Sequence, residues 1–186
     1  MTTDLRTITD RINQFQLASP SKFKVQFFGG PSGVNLGFDG GDASIIVEDV
    51  TMPGRTLSTV ERRSFGPVQE LPYERTFGGD IEVVFKLMGS SNDSFNIRVA
   101  MEKWMDEIIG AGLRDTNTGM IMQDRKQYVC DMRIQVFSQD FKTPSLSLRC
   151  FEVFPKTINS ISLSDNTTDS YVRQSVNFSY RDYEIE

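Results

Sequence analysis

The sequence predicts a mainly β fold, an antiparallel sandwich or barrel-like pair of sheets with one packed α-helix at about 93–109 and a short helix at the N-terminus. Three features of the residue pattern lead there. Apolar and polar residues alternate with a period of two in several separate segments, including Phe23 to Phe27, Ile81 to Leu87 and Val176 to Tyr180. Strong three- and four-residue spacing occurs over Ile97 to Ile108. Glycine and proline clusters punctuate the rest, as turns between strands require.

Taken in order, Leu5, Ile8, Ile12 and Phe15 form one stripe behind Thr2 or Thr3, which predicts the short opening helix. After a break at Ser19-Pro20, the alternation of Phe23, Val25 and Phe27 with lysines and Gln26 predicts a half-buried strand that stops at Gly29. Residues 29–42 are too rich in glycine for a regular element and are expected to form a long loop. Ala43 to Thr51 is β-branched and apolar, and Met52-Pro53-Gly54 ends it in a turn. Residues 55–72 mix charges, hydroxyls and prolines with weak alternation, so they are expected to form an extended arm with one irregular hairpin. A segment with so little apolar pattern should pack on something other than its own core.

Asp80 to Met88 alternates again and predicts a further strand. Asn92, Asp93 and Ser94 offer N-caps for a helix whose stripe is Ile97, Met101, Trp104, Met105 and Ile108, ending near Gly110. Such a stripe packs against a sheet and implies no cofactor. Two long strands, Gln127 to Phe137 and Pro144 to Phe154, flank a polar turn at Ser138 to Thr143. Centring that turn on Asp140 sets Ile134 against Leu146, Met132 against Leu148 and Cys130 against Cys150 on one apolar side, with Asp131 against Arg149 on the other. Phe154-Pro155 should end the second strand. Ile158, Ile161 and Leu163 cross next, Ser164 to Ser170 turn, and Tyr171 to Tyr183 form the last strand, with Ser175, Asn177 and Ser179 on its wet face.

Composition bounds the function. The 186 residues fit one domain, 1–186, without a repeat or a low-complexity tail. The formal charge of −5 gives no drive toward nucleic-acid phosphates or anionic lipid. Zero His removes the commonest general base and metal ligand and every Ser/His or Cys/His nucleophile pair. Two Cys are too few for a zinc site or a disulfide scaffold, and reduced thiols in a cytosolic setting are expected. Asp4, Arg6, Asp10 and Arg11 interrupt the stretch where a signal peptide would be apolar, and no segment approaches a membrane span.

No motif carries chemistry. The glycines of 29–41 lack the Gly-Lys-Ser/Thr ending of a phosphate loop, and Asp39 to Asp42 and Asp165 to Asp169 lack the ligand spacing of a calcium loop. A pair of carboxylates is the enzyme route left open, but Glu82, Glu102, Asp106 and Glu107 read as solvated surface. No catalytic, cofactor or metal residue is assigned.

The order of these segments resembles the tail tube proteins of contractile-tailed bacteriophages. The resemblance rests on the short helix before Leu17-Ala18-Ser19-Pro20 and an aromatic-led strand, and on Met52-Pro53-Gly54 before the arm. It continues through Arg75-Thr76-Phe77 and Asp80 into a strand, then the helix with Trp104, the long hairpin, and Phe154-Pro155. A short Ile161-Ser162-Leu163 strand and the closing Asp182-Tyr183 complete it. The resemblance implies a structural, non-enzymatic virion protein made in the host cytoplasm. Six copies would form a ring, and rings would stack into a tube inside a tail sheath, between baseplate and tail terminator proteins. DNA and a tape-measure protein would occupy the lumen without sequence-specific binding, and no membrane or cofactor is involved.

On that reading, arm residues Arg55, Glu61, Arg62, Arg63 and Glu70 are the expected subunit contacts. The lumen is expected to be lined by Asp131, Arg133, Gln135, Ser145, Ser147 and Arg149, or by Ser175, Asn177 and Ser179. The alternatives are a baseplate tube initiator, or the tube subunit of a contractile injection or type VI secretion system. From other classes, a carboxylate-dependent tail-associated glycosidase and a monomeric carbohydrate-binding module also fit a β-rich chain.

Overall fold

The computed structural model describes residues 18–31, 43, 46–63, 66–87, 97–109, 122–138, 142, 144–161, 163 and 171–186. The expected N-terminal helix, nearly all of the Gly-rich loop, the helix caps at 92–94, and the 164–170 turn lie outside them. The described elements are β1 (Ala18–Gly29), β2 (Val47–Val50), β3 (Gly54–Arg62), β4 (Gln69–Gly78), β5 (Ile81–Lys86), α1 (Ile97–Ile108), α2 (Arg125–Tyr128), β6 (Cys130–Ser138), β7 (Pro144–Ile158), β8 (Arg173–Ser179) and β9 (Asp182–Ile185).

Antiparallel pairing runs β1-β6-β7-β8-β5-β2, with β9 on the other edge of the first half of β7. β7 therefore belongs to two sheets: up to Val153 it pairs with β6 and β9, and from Phe154 to Ile158 it pairs with β8. The change of sheet occurs at Glu152, whose φ of 53° is left-handed and unusual for a residue with a Cβ. Alternation places Val25, Phe27, Met132, Ile134, Leu148 and Cys150 inward from one sheet and Ile81, Val83, Phe85, Val176 and Phe178 inward from the other. The two inner faces meet at Phe27 and Phe178, whose ring centroids are 5.6 Å apart.

Helix α1 adds Ile97, Met101, Trp104 and Ile108 to this core, with the Trp104 ring 6.3 Å from Phe178. The Trp104 indole N–H donates to the Tyr128 carbonyl at 2.7 Å, so the polar atom of the largest core side chain is satisfied. Gln174, fully buried in β8, donates to the Asn159 and Ser175 carbonyls and accepts from Arg98 of α1 at 2.9 Å. These bonds fix the helix to the second sheet.

Several boundaries differ from expectation. β1 begins at Ala18, before the expected break, and absorbs Pro20 in an irregularity between Ala18 and Phe23. β2 is short because the Ile46 and Val47 amides turn back to the Ala43 carbonyl at 3.0 and 3.1 Å. β6 starts at Cys130 because Arg125–Tyr128 makes a helical turn that delivers Tyr128 to Trp104 and to Phe154. Its register with β7 is shifted by two residues: Met132 faces Cys150, Ile134 faces Leu148, Arg133 faces Arg149, and Cys130 faces Val153. A two-residue slip keeps every side chain on its expected face, so both cysteines are buried without being opposite neighbours.

Pro155 lies within β7, opposite Phe178 and next to a register shift, where a missing N–H is tolerated. Ile161 and Leu163 lie outside the strands, and Leu163 is exposed. The expected last strand divides at Tyr180 and Arg181, since β8 pairs in the second sheet while β9 crosses to the first.

Candidate functional site

The arm is the feature most set apart from the core. β3 and β4 pair only with each other among the described residues, and nearly every residue in them is exposed. A two-stranded ribbon without a covered face is marginal by itself, yet this one exposes Leu57 (59%), Val60 (52%), Leu71 (41%) and Tyr73 (67%), with Val68 (54%) just before β4. The register explains why sequence alternation was weak. An irregularity between Ser58 and Thr59 shifts the phase, and Leu57 falls on one face of the ribbon while the Val60–Leu71 pair falls on the other. Sequence reading named the charges and missed these apolar side chains.

The charges divide by position. Glu61 and Glu70 are directly opposite, an unfavourable pairing that Arg63 offsets through an ion pair to Glu61 at 3.4 Å. Thr59 donates to Glu70 at 3.5 Å, and Arg62 lies opposite Gln69. Arg55 does not join them. It sits at the root, where its guanidinium donates to the Tyr183 carbonyl, lies 4.0 Å from the Tyr183 ring centroid and 5.5 Å from that of Phe77, and approaches Asp182 at 3.9 Å. Phe77, Tyr180 and Tyr183 cluster around it, with ring centroids 5.9 to 6.4 Å apart. Gly54 and Gly78 are paired there, and a Cβ on Gly78 would come 3.3 Å from the Gly54 carbonyl oxygen.

The two polar strand faces belong to different sheets. On the first, Asp131, Arg133 and Gln135 of β6 and Ser147 and Arg149 of β7 point away from the core, and β9 adds Glu184, with Glu186 just beyond it. Ser145 falls in the irregularity between the Val136–Leu146 and Phe137–Pro144 pairs. Arg149 pairs with Asp131 at 2.8 Å, a hydrogen bond that pushes the guanidinium pKa up, and Arg133 pairs with Glu186 at 2.9 Å. On the second sheet, Ser175 and Asn177 lie opposite Val84 and Glu82, and Ser179 opposite Phe154. Ser175 is hydrogen bonded to Glu82 and accepts from Asn159 at 3.0 Å.

A cleft of about 510 Å³ is lined by Asp124, Arg125, Lys126, Val129, Glu152 and Arg181. Glu152 receives Arg125 and Arg181, each at 2.6 Å, and these bonds hold its carboxyl below the ordinary range, Arg181 foremost. A carboxylate pinned in its ionised form is the opposite of the general acid that glycoside hydrolysis needs. Among the described residues, no group of three or more His, Cys, Asp or Glu is placed to hold a metal. No helix among them is long and apolar enough to cross a membrane.

The family model described as phage tail tube protein matches residues 18–186, which is nearly the whole chain. The chain belongs to the phage tail tube protein family. Among curated proteins, no sequence matches it. The tail tube fold is shared with solved structures at low identity. One is a chain of the sheath–tube complex of an extracellular contractile injection system in the extended state, with TM-score 0.62 and 13% identity over 96% of this chain and 97% of the other. Another is from the baseplate of the anti-feeding prophage, with TM-score 0.60 and 14% identity over 91% of this chain and 95% of that one. A third is from the anti-feeding prophage tube-terminating cap, with TM-score 0.59 and 14% identity over 91% of both chains. The mainly β, antiparallel fold class expected from the sequence is the one observed, with α1 as its packed helix.

Proposed function

We propose that this chain is a tube subunit that assembles into hexameric rings, and that the rings stack into the channel through which DNA leaves the virion. The observation that carries the reading is the β3–β4 arm, whose apolar side chains lie on both faces and find no cover in their own subunit among the described residues. A neighbouring copy supplies that cover, with Glu61, Arg62, Arg63 and Glu70 setting register by charge. Arg55 acts differently, holding the arm's root at a fixed angle. Family membership supports a structural, non-enzymatic role and a place in the virion tail, with synthesis in the host cytoplasm. Likeness in fold to chains of a sheath–tube complex, a baseplate and a terminating cap supports a sheath outside and baseplate and terminator proteins at the ends.

The lumen is assigned to the polar face of the first sheet, where the arginines are matched by carboxylates, a surface suited to passing DNA and a tape-measure protein without adhesion. Particles carrying both Gln135→Lys and Ser145→Lys should assemble and eject DNA slowly in a salt-dependent way, while Ser175→Lys with Asn177→Lys should not slow it. Normal ejection by the first pair would refute this placement. A second reading, the tube subunit of an injection machine or a baseplate initiator, is favoured by the same solved structures. It differs in cargo, and DNA-free tubes made beside a sheath without capsids would establish it.

A further inference from the structure

The first sheet's polar face holds an arrangement that charge counting alone does not reveal. Arg133 and Arg149 are register partners, directly opposite on neighbouring strands, where two like charges repel. Each guanidinium lies over an aromatic ring, Arg133 at 5.3 Å from Phe28 and Arg149 at 5.2 Å from Phe151. Each Nε is buried with no hydrogen-bond partner among the described residues. Glu186 binds Arg133 and approaches Arg149 at longer range. Both of its oxygens lie on Arg133, Oε2 at 2.9 Å and Oε1 at 3.0 Å; Oε1 is also 3.9 Å from Arg149, and Ser147 Oγ donates to Oε2 at 3.3 Å. The Glu186 amide donates to the Ser147 carbonyl at 2.9 Å, which fixes the carboxylate's place by backbone register. Asp131 meets Arg149 alone.

Two guanidiniums on rigid neighbouring strands, supported by rings and a hydroxyl, form a fork suited to a tetrahedral oxyanion. We propose that Arg133, Arg149 and Ser147 form a phosphate-binding fork that Glu186 occupies from within the same chain, so that the face passes phosphodiesters without holding them. Glu186 is thus a specificity-determining residue: its carboxylate takes the place a backbone phosphate would otherwise fill. The binding chemistry does not depend on which face lines the channel, so its test is separate from that of the lumen.

The test is binding of a fluorescent single-stranded oligonucleotide to the full chain over a range of salt concentrations. Glu186→Gln keeps the shape and the backbone bond and removes the charge. It should raise affinity about tenfold and steepen the salt dependence by roughly 0.7 for each additional phosphate neutralised. Adding Arg133→Gln to Glu186→Gln should abolish the increase, and inorganic pyrophosphate should compete for the site. Asp131→Asn changes the net charge equally but leaves Glu186 in place on Arg133 and Ser147, so its effect should be smaller. An unchanged affinity for a folded Glu186→Gln protein would overturn the proposal. So would an equal increase from Asp131→Asn, an increase that survives loss of Arg133, or oligonucleotide binding that pyrophosphate does not displace.

Discussion

Glu152 shows how one residue can serve geometry and electrostatics together. Its left-handed backbone turns β7 from one sheet to the other, and its carboxylate ties the turn to α2 through Arg125 and to the β8–β9 junction through Arg181. Because its pKa is depressed in the fold, its contribution is present above the unfolded carboxylate pKa and is lost as pH falls through the folded value. The melting-temperature gap between the wild type and Glu152→Gln should therefore be constant near neutrality and close in acid. Glu152→Gly loses the ion pairs but relieves the backbone, so it should be more stable than Glu152→Ala by about 1 kcal/mol. Equal stability of the two would mean that the backbone there carries no strain. The cysteines make a simpler case: burial pushes the Cys150 thiol up to about 12 and the Cys130 thiol higher still. Both should resist alkylation until denaturant is added, and rapid labelling of either in the native protein would contradict their burial.

Among the elements, the arm divides into a mount and a proposed contact. Arg55, Phe77 and Tyr183 form the mount, so replacing Ser58 to Glu74 by a short turn should leave the circular dichroism spectrum and melting temperature nearly unchanged while preventing tube elongation. Arg55→Ala should leave a folded subunit, about 1 kcal/mol less stable, whose arm is no longer held and whose tubes are short or absent. Tubes of normal length from the shortened variant, seen by electron microscopy, would exclude the arm from assembly. The elements most legible in the sequence were those with one buried face, β5, β8 and α1, because a single period records a single environment. β7 was legible to Phe154 and no further, since its continuation depends on pairing with β8 that no local pattern announces. The apolar side of the arm was hidden for a related reason: a bulge and two exposed faces leave no period to read.

Across the whole molecule, β1 and β2 end the strand order, each with one edge free of strand partners among the described residues. The Val25 carbonyl of β1 accepts from the Ala43 amide at 3.0 Å, which brings the chain just ahead of β2 against β1. β1 bears Pro20 near its start, a feature that restricts which strand can add there. The candidate surfaces were legible as polar residue types, but their grouping was not. The two candidate lumen sets lie on separate sheets, and the Glu186 carboxylate on Arg133 follows β9, distant in sequence from β6 and β7 and outside the strand expected to end at Tyr183. The proposed ring assembly should be visible in cryo-electron micrographs of the purified full chain. Six-fold rings or tubes with a central hole are expected, with the β3–β4 arm seated on a neighbouring ring and Arg133 and Arg149 facing the channel. A monodisperse monomer at high concentration that forms no ordered particle, or an ordered assembly with the arm in solvent, would contradict it.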